Sequence, residues 1–409
     1  MKNRTVKEKR VGIAIVAIAL AALLMSTACA PAPSAEAKKV VEIGMIAPLT
    51  GPAATGAQVA LTCQADYLRY FNEELRIPGV TVKMIWADTA LEPVKQVSAY
   101  NRFIGRGVVA LVMVEVADAL KSKAEKHETP MLAMAISEGM MYPPGWAFSC
   151  FPTEAERFAV ACDWIMENWK EERPPRIAFV TIDTPYGRDP LQQGEKYARS
   201  IGIEWLPPEF IPYTPLDTTV QLLRLKKEVA DFVYICPIWT VAGPILRDAE
   251  RLGLTGVMGF CGTHMTLTRG GLEALGPAIE GFFAPKVYPV WSEMENPGIR
   301  WANEMWLRYH GPGVMDDMYE NTINHVIILP EAITRAIEKT GYENLDGRAV
   351  KEALETIVDF DPYGFGPKIT YTNPAERRGS GWARIYQVQG GAVVPRTDWR
   401  EAPMLVPGD

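Results

Sequence analysis

Two polar side chains lie where predicted strands lead into helices, and both have the chemistry to hold a small molecule. Ser137 ends the stretch MLAMAIS, and Tyr186 lies in the turn of DTPYGRD, just ahead of an amphipathic helix. Backbone N–H groups at a helix start, together with a small hydroxyl, favour an anion such as a carboxylate. A tyrosine is large for a turn that only reverses the chain, so we predict a ligand contact. The alternatives are that Ser137 only caps its helix and Tyr186 only fills a gap.

Cys261 and His264 form a C-x-x-H pair that could suggest a metal site or a nucleophile. Two ligands do not make a zinc site, and no second pair stands at a suitable spacing, so neither a metal nor a cofactor is expected. The chain has no G-x-S-x-G, H-E-x-x-H or G-x-x-x-x-G-K-[ST] motif. We therefore predict that it is not an enzyme, and a secreted hydrolase that uses Cys261 and His264 remains an alternative.

Short apolar runs alternate with helical patterns from residue 40 onward, which predicts parallel sheets covered by helices on both faces. Strands are predicted at 41–48, 80–86, 108–114, 131–135, 176–182, 231–236, 256–260 and 382–388, and helices at 56–75, 297–309, 317–339 and 347–357. The connector 138–154 carries prolines and glycines and fits no element.

The break between the two series of strands predicts an α/β protein with two Rossmann-like lobes. Lobe 1 comprises residues 40–150 plus 284–358, and lobe 2 comprises residues 151–283 plus 359–409. The chain crosses between the lobes near 148–153, 281–286 and 357–368. Ligands of open parallel sheets bind beyond the carboxyl ends of the strands, so Ser137 and Tyr186 are expected to line a cleft between the lobes.

The first residues differ from the rest in composition. A basic segment precedes the apolar run VGIAIVAIALAALLM, which is too short for a comfortable membrane span, so residues 1–29 are predicted to be a signal peptide and 30–39 a tether. Cys29 is a candidate for lipidation, with cleavage after Ala30 as the alternative.

Net charge is −7 and no basic cluster follows residue 10, which argues against a nucleic-acid partner. The remaining cysteines are expected to be buried free thiols, although one disulfide is possible.

Several stretches, in this order, are similar to one known family: IGMIAPLTGPAATGAQVA, TPMLAMAIS, DTPYGRD, DFVYICPIW and EGFFAP. Over residues 40 to 395 the chain resembles the type I periplasmic binding proteins of ABC importers, in particular the branched-chain amino-acid (Leu/Ile/Val) receptors. The resemblance implies a monomeric receptor with three hinge crossovers that closes on a small ligand and presents it to an ABC permease. It implies contact with the membrane only through a lipid anchor.

The resemblance also implies which residues contact the ligand. In lobe 1 it implies a backbone contact at Ala135, a hydroxyl contact at Ser137 and further contacts from Val116 or Ala117. In lobe 2 it implies that Tyr186 reaches across the cleft and that Trp239, with Ile238 beside it, forms a wall. The loop 49–55 and Tyr319 are further candidates.

One position departs from the family pattern. Amino-acid receptors of this kind hold the ligand ammonium with an acidic residue, and the matching position here is Cys261, whose thiol cannot neutralise a buried charge. Either another carboxylate takes this role, with Glu115, Glu138 and Glu320 as candidates, or the ligand has no ammonium. The sequence favours a carboxylate-bearing or neutral polar ligand that is not an amino acid, and Trp239, Tyr186 and Tyr319 would suit an aromatic one. An amino-acid receptor, a sensor of the same fold and a structural surface protein remain alternatives.

Overall fold

The structure is a computed structural model that describes residues 39–75 and 77–408. The predicted signal peptide, most of the tether and the lipidation candidate Cys29 lie outside the described residues. From Val40 onward the chain forms one compact unit. Within the described ranges, no helix combines the length and the apolar character that a membrane span requires.

The first half of the chain builds a five-stranded sheet in the order β2-β1-β3-β4-β5. Its strands are β1 Lys39–Ala47, β2 Val80–Asp88, β3 Leu111–Met113, β4 Met131–Ala133 and β5 Ala147–Phe148. The pairs β1–β3, β3–β4 and β4–β5 are parallel, as near-continuous apolar strands predict. The intervening helices are α1 Ala54–Tyr70, followed by a π-helical turn at Phe71–Leu75, α2 Pro93–Arg106, α3 Asp118–Lys126 and α4 Glu138–Met141.

The second sheet has nine strands, and its central path runs β13-β12-β11-β10-β9-β6-β7. Its strands are β6 Arg176–Ile182, β7 Glu204–Trp205, β8 Glu209–Ile211, β9 Phe232–Ile235, β10 Gly259–Gly262, β11 Phe283–Lys286, β12 Trp382–Gln389, β13 Ala392–Pro395 and β14 Arg400–Glu401. Strands β6 to β11 pair in parallel, whereas β12 pairs antiparallel with β11, β13 and β14. The helices of this part are α5 Glu154–Asn168, α6 Pro185–Arg188, α7 Leu191–Ser200, α8 Thr219–Lys227, α9 Trp239–Arg251 and α10 Arg269–Leu275.

The last three helices return to the first sheet. They are α11 Pro297–His310, α12 Asp317–Thr340 and α13 Gly347–Leu354, and α12 packs against α1, α13 and β4. The ring of His325 in α12 contacts the carbonyl oxygen of Ala133 in β4 at 3.1 Å. The helix therefore runs beneath the strand end that leads to Ser137.

The chain crosses between the two sheets three times: after β5, after β11 and between α13 and β12. Two of these crossovers are joined by the hydroxyl of Tyr371, which donates to the carbonyl of Ser149 at 2.7 Å. The ring of Tyr288, in the crossover after β11, stacks on Phe365 at 6.3 Å and lies 6.3 Å from Phe151. The three crossovers thus lie side by side. The lobe boundaries at residues 150, 283 and 358 stay a prediction.

The connector 138–154 was expected to fit no regular element, but it contains the short helix α4 and the two-residue strand β5. Both are too short to produce a periodic pattern. The predicted crossover at 281–286 is also displaced, because residues 283–286 form β11 and the chain leaves the second sheet only after Lys286.

Candidate functional site

The ends of β3 and β4 bring four of the predicted contact residues to one edge of the first sheet. Ala117 is buried, and its N–H points at the sulfur of Met140 at 3.2 Å. The carbonyl of Val116 accepts a hydrogen bond of 2.9 Å from the Gln96 side chain. Ala135 is partly buried. These residues therefore lie close to the start of α4, where Ser137 is found.

Ser137 is buried and acts as the N-cap of α4. Its hydroxyl oxygen accepts the N–H of Met140 at 3.1 Å, and its hydroxyl donates to the carboxylate of Asp118. The next peptide N–H, that of Glu138, donates to both carboxylate oxygens of Asp189 at 3.0 and 3.1 Å. Asp189 follows α6 on the second sheet, so this contact joins the two halves of the molecule.

Tyr186 lies in α6 directly after β6 and is partly buried against the main core. The helix is capped by Thr184, whose hydroxyl oxygen accepts the N–H of Gly187 at 3.2 Å. Burial raises the pKa of Tyr186, and the Glu154 carboxylate raises it further. The tyrosine thus lies beside the buried pair of Glu154 and Arg157, on the side of the second sheet.

Ile238 and Trp239 form the start of α9, after β9, and both are partly buried. The N–H of Trp239 donates to the carbonyl of Met265 at 3.1 Å. An added side-chain carbon on Gly270 would lie 3.9 Å from the indole, so the ring packs over the first turn of α10. Since α10 begins at Arg269, this wall adjoins the charged groups described below.

Cys261 lies within β10 and is fully buried in the main core. Its thiol points to the carbonyl of Val233 at 3.6 Å, and burial raises its pKa well above the ordinary value. The thiolate is the nucleophilic form, and a raised pKa disfavours it, so a thiol in this environment is a poor nucleophile. This disfavours the hydrolase alternative. A ligand contact by Cys261 stays a prediction.

Tyr319 and Glu320 are neighbours in α12 but have different environments. The Tyr319 hydroxyl donates to Asp66 of α1 at 2.8 Å, and its ring packs edge-on against Trp306 at 5.3 Å. Tyr319 is therefore held within the outer helices. Glu320 is completely buried, and among the described residues neither carboxylate oxygen has a hydrogen-bond partner.

Buried polar side chains from both halves meet between the two sheets. The Arg157 guanidinium bonds to Glu154 at 2.5 Å, and the Tyr234 hydroxyl donates to Glu154 at 2.6 Å. Asn321 and the ring of His264 lie close together, and burial, followed by the nearby Arg157 and Lys286 charges, keeps the pKa of His264 well below its usual value. The interlobe polar cluster, as we call this group, consists of Glu154, Arg157, His264, Lys286, Tyr288, Asp317, Glu320 and Asn321.

Many atoms of this cluster have no hydrogen-bond partner within residues 39–75 and 77–408. They are the Nε of Arg157, both ring nitrogens of His264, one oxygen of Asp317, both of Glu320 and the side-chain oxygen of Asn321. Folded proteins leave few buried polar atoms unpaired, so such a concentration indicates a place where a polar molecule binds. Most of these residues were not predicted from the sequence. The T-x-x-E signal at Thr153, which forms a capping box in α5, could have directed attention to Glu154 and Arg157.

The contact between Asp189 and Glu138 leads to a prediction about pH. Burial raises the pKa of Asp189 to about 7, the Glu138 N–H opposes this, and the Asp118 and Glu154 carboxylates add to it. A carboxyl whose pKa is higher in the folded than in the unfolded state favours folding while it is protonated. Its contribution is therefore lost as the pH rises from about 4 through about 7.

We expect the Asp189→Asn variant to be more stable than the wild type at pH 8, by about 1 kcal/mol after allowance for solvent screening, and similar to it at pH 4. Thermal unfolding between pH 4 and pH 8 measures this difference. Asp183→Asn is the matched control on the same turn, because Asp183 is exposed and the Arg188 guanidinium lowers its pKa. Equal pH profiles for Asp189→Asn and the wild type would contradict the prediction.

No group of three or more His, Cys, Asp or Glu side chains suited to a metal ion occurs in the described part of the chain. All five cysteines from Cys63 to Cys261 are free and buried.

A sequence profile of the family described as periplasmic binding protein matches residues 40–392. A curated relative, the Leu/Ile/Val-binding protein BraC3 of Rhizobium johnstonii, is 30% identical over 240 residues, covering 57% of this chain and 63% of the relative. The chain thus spans about three fifths of the length of the curated relatives it matches.

Two solved structures share the fold. A branched-chain amino acid ABC transporter protein from Thermus thermophilus with bound valine has a TM-score of 0.82 at 23% identity, covering 89% of this chain and 97% of that chain. A fatty acid ABC transporter substrate-binding protein from Thermomonospora curvata has a TM-score of 0.79 at 19% identity, covering 90% and 95%. At these identities the likeness shows the fold alone, and the predicted fold class is confirmed.

Proposed function

This chain belongs to the periplasmic binding protein family, and from that premise we propose that it is an extracytoplasmic receptor of an ABC importer. It binds a small polar solute between its two sheets and presents the closed, loaded form to the permease. It acts as a monomer, needs no cofactor and is held at the membrane by a lipid on Cys29.

One observation carries this proposal: the interlobe polar cluster has unpartnered atoms from both halves of the molecule. Arg157 and His264 come from elements of the second sheet, whereas Glu320 and Asn321 come from α12, which packs on the first. A ligand placed among them would bond to both halves at once. Closure and binding would then stabilise each other, which is how a clamshell receptor converts ligand contact into a change of shape.

The three adjacent crossovers support hinge motion. A few crossover residues can absorb the change in backbone angles while each sheet moves as a body. Tyr371 and Ser149 link two crossovers near the axis, and such a contact would survive rotation. The contact between Glu138 and Asp189 lies at the strand ends and would break when the halves separate.

The ligand classes considered from the sequence differ in how they fit this geometry. A carboxylate-bearing ligand bound at Ser137 would have to displace Asp189 from the Glu138 N–H. A neutral polar ligand that is not an amino acid meets no such competition. An amino acid is the second candidate, and one observation favours it: the unpartnered carboxylate of Glu320 could accept an ammonium group.

We expect Ser137→Ala and Tyr186→Ala each to weaken ligand binding at least tenfold without unfolding the protein, since both residues lie at strand ends facing the other half. A tenfold loss corresponds to about 1.4 kcal/mol. Ser200→Ala is the control, because Ser200 is exposed at the end of α7 and its hydroxyl bonds only locally. Calorimetric titration with the first solute identified measures the affinities, and wild-type affinity in both variants would show that the site is misplaced.

The proposal is tested by a thermal-shift screen of amino acids, keto acids, aromatic acids, amides and amines. Small-angle X-ray scattering of the protein, with and without any solute found, then measures the compaction of the protein that is expected from closure. A protein that responds to no solute would be a structural surface protein, and the proposal would fail. Permease and ATPase genes beside this one would distinguish a transport receptor from a sensor of the same fold.

A further inference from the structure

Glu320 is a buried acid without a hydrogen-bonded counter-charge. It lies in the first turn of α12, fully buried, and both of its oxygens lack a partner among the residues described. The ammonium group of Lys286 donates instead to the carbonyl of Leu267 at 3.0 Å and to the hydroxyl of Tyr288 at 3.4 Å. Lys286 thus attracts Glu320 through space but does not satisfy its oxygens.

The groups that act on Glu320 leave an excess of negative charge. Asp316 caps α12 and Asp317 begins it, while Lys286 and Arg269 act on Glu320 from β11 and α10. Three carboxylates against two cations give −1 when all are ionised. The Arg269 guanidinium lies over the Trp291 ring at 5.3 Å, and its backbone N–H donates to Asp317. One further positive charge, or one proton, would balance these five groups.

A second observation comes from the start of α4, at the end of β4. The Glu138 N–H, at the strand end where a ligand carboxylate was expected, is taken by the carboxylate of Asp189. Asp118 accepts the Ser137 hydroxyl there, and the side chain of Glu138 is buried nearby. A ligand carboxylate would face the carboxyl groups of Asp118, Glu138 and Asp189, and each of them that is ionised disfavours its charge.

We propose that the ligand is a small organic cation without a carboxylate, such as a primary amine, an amidine or a guanidine, and that Glu320 is its counter-ion. This inference rests on the proposed function and names its ligand class. The N–H donors of the cation satisfy the carboxylate oxygens of Glu320, and the positive charge balances the excess. The rings of Trp239 and Tyr186 provide apolar contact for the rest of the molecule.

Binding of this kind releases a proton. Burial, followed by the Asp317 charge, raises the pKa of Glu320 well above its usual range, while Lys286 and Arg269 oppose the rise. Burial and the Asp317 charge thus favour the protonated form of unliganded Glu320, whereas an arriving cation favours its ionised form. The proton leaves to solvent as the ligand N–H groups bond to the carboxylate, so affinity rises with pH by up to tenfold per unit.

The test uses sets of compounds matched in shape: benzamidine, benzamide and benzoate, and isoamylamine, isocaproamide and isocaproate, with agmatine and putrescine as further cations. At least one cation should raise the melting temperature of the purified protein, and its amide and carboxylate counterparts should not. The Glu320→Gln substitution should weaken the binding of that cation at least 100-fold. Asp163→Asn is the control, a partly buried carboxyl with a raised pKa that bonds to Tyr197 away from the cluster.

Should Glu320→Gln fail to fold, calorimetry of the wild type in phosphate and in Tris at pH 7 measures proton release directly, and a net release of protons on cation binding is expected. No release would overturn the inference. Binding of benzoate, a keto acid, leucine or valine would also overturn it and leave the proposed function standing. A protein that binds nothing in the panel or in the wider screen, and does not compact, would contradict both.

Discussion

Replacement of Arg157 by methionine is expected to lower the free energy of unfolding by about 3–5 kcal/mol. Arg157 and Glu154 are both almost completely buried, at 3% and 1% side-chain exposure, and their atoms approach to 2.5 Å. Without the guanidinium, the one hydrogen bond that the Glu154 carboxylate keeps among the described residues is that from the Tyr234 hydroxyl at 2.6 Å. Chemical denaturation, followed by tryptophan fluorescence, measures the change.

The double variant Glu154→Gln/Arg157→Met separates the two causes of instability. It removes both charges, so it should recover most of the stability that the single variant loses, since a buried pair contributes little in net terms but a lone buried charge costs much. Lys339→Ala is the control for an exposed pair, in which Lys339 meets Glu352 at 3.0 Å, and should change stability by less than about 1 kcal/mol. A double variant no more stable than Arg157→Met would show that packing, and not charge, is what matters.

Gly187→Ala is expected to destabilise the protein by about 3 kcal/mol and to abolish ligand binding. An added methyl group would lie 2.1 Å from the carbonyl oxygen of Ile182 and 2.6 Å from the hydroxyl of Thr181. The first of these atoms belongs to the backbone of β6, so the turn must move, and Tyr186 must move with it. Thermal unfolding and ligand titration measure the two effects.

Gly105→Ala is the matched control for this substitution. Gly105 is helical, and nothing lies within 4 Å of the added carbon. The change should leave binding intact and stabilise the protein slightly, because alanine is the better helix former. Wild-type ligand binding by the Gly187→Ala variant would show that the position of Tyr186 does not depend on the close approach at Gly187. It would contradict the proposed role of Tyr186 in the site.

The long, strongly apolar elements were predictable because burial on both faces demands an unbroken apolar sequence. Arg176–Ile182 begins and ends at the predicted residues, and α12 Asp317–Thr340 differs from its prediction by one residue. Short strands such as β8 and β14 escaped prediction because two or three residues carry no periodicity. They pair at the margins of a sheet that longer strands define.

The candidate site was less predictable, because orientation within an element depends on its neighbours. Buried residues occur on every side of α12, so the helical period did not predict which way each side chain points. Tyr319 bonds to Asp66 in α1, whereas the carboxylate of Glu320 has no hydrogen-bond partner among the described residues. Strand β10 is buried on both faces, so its sequence has no alternation of polar and apolar residues that would predict that Cys261 points into the core.

The amino-acid sequence by itself determined that two parallel sheets are covered by helices, and that Ser137 and Tyr186 stand at strand ends, because apolar periodicity and turn residues act locally along the chain. Only the tertiary structure decided which charges meet between the sheets. Glu320 and Lys286 are brought together by packing, as are Glu138 and Asp189, which lie 51 residues apart. The electrostatics that we propose to select the ligand arise from distances through space, which separation along the chain does not encode.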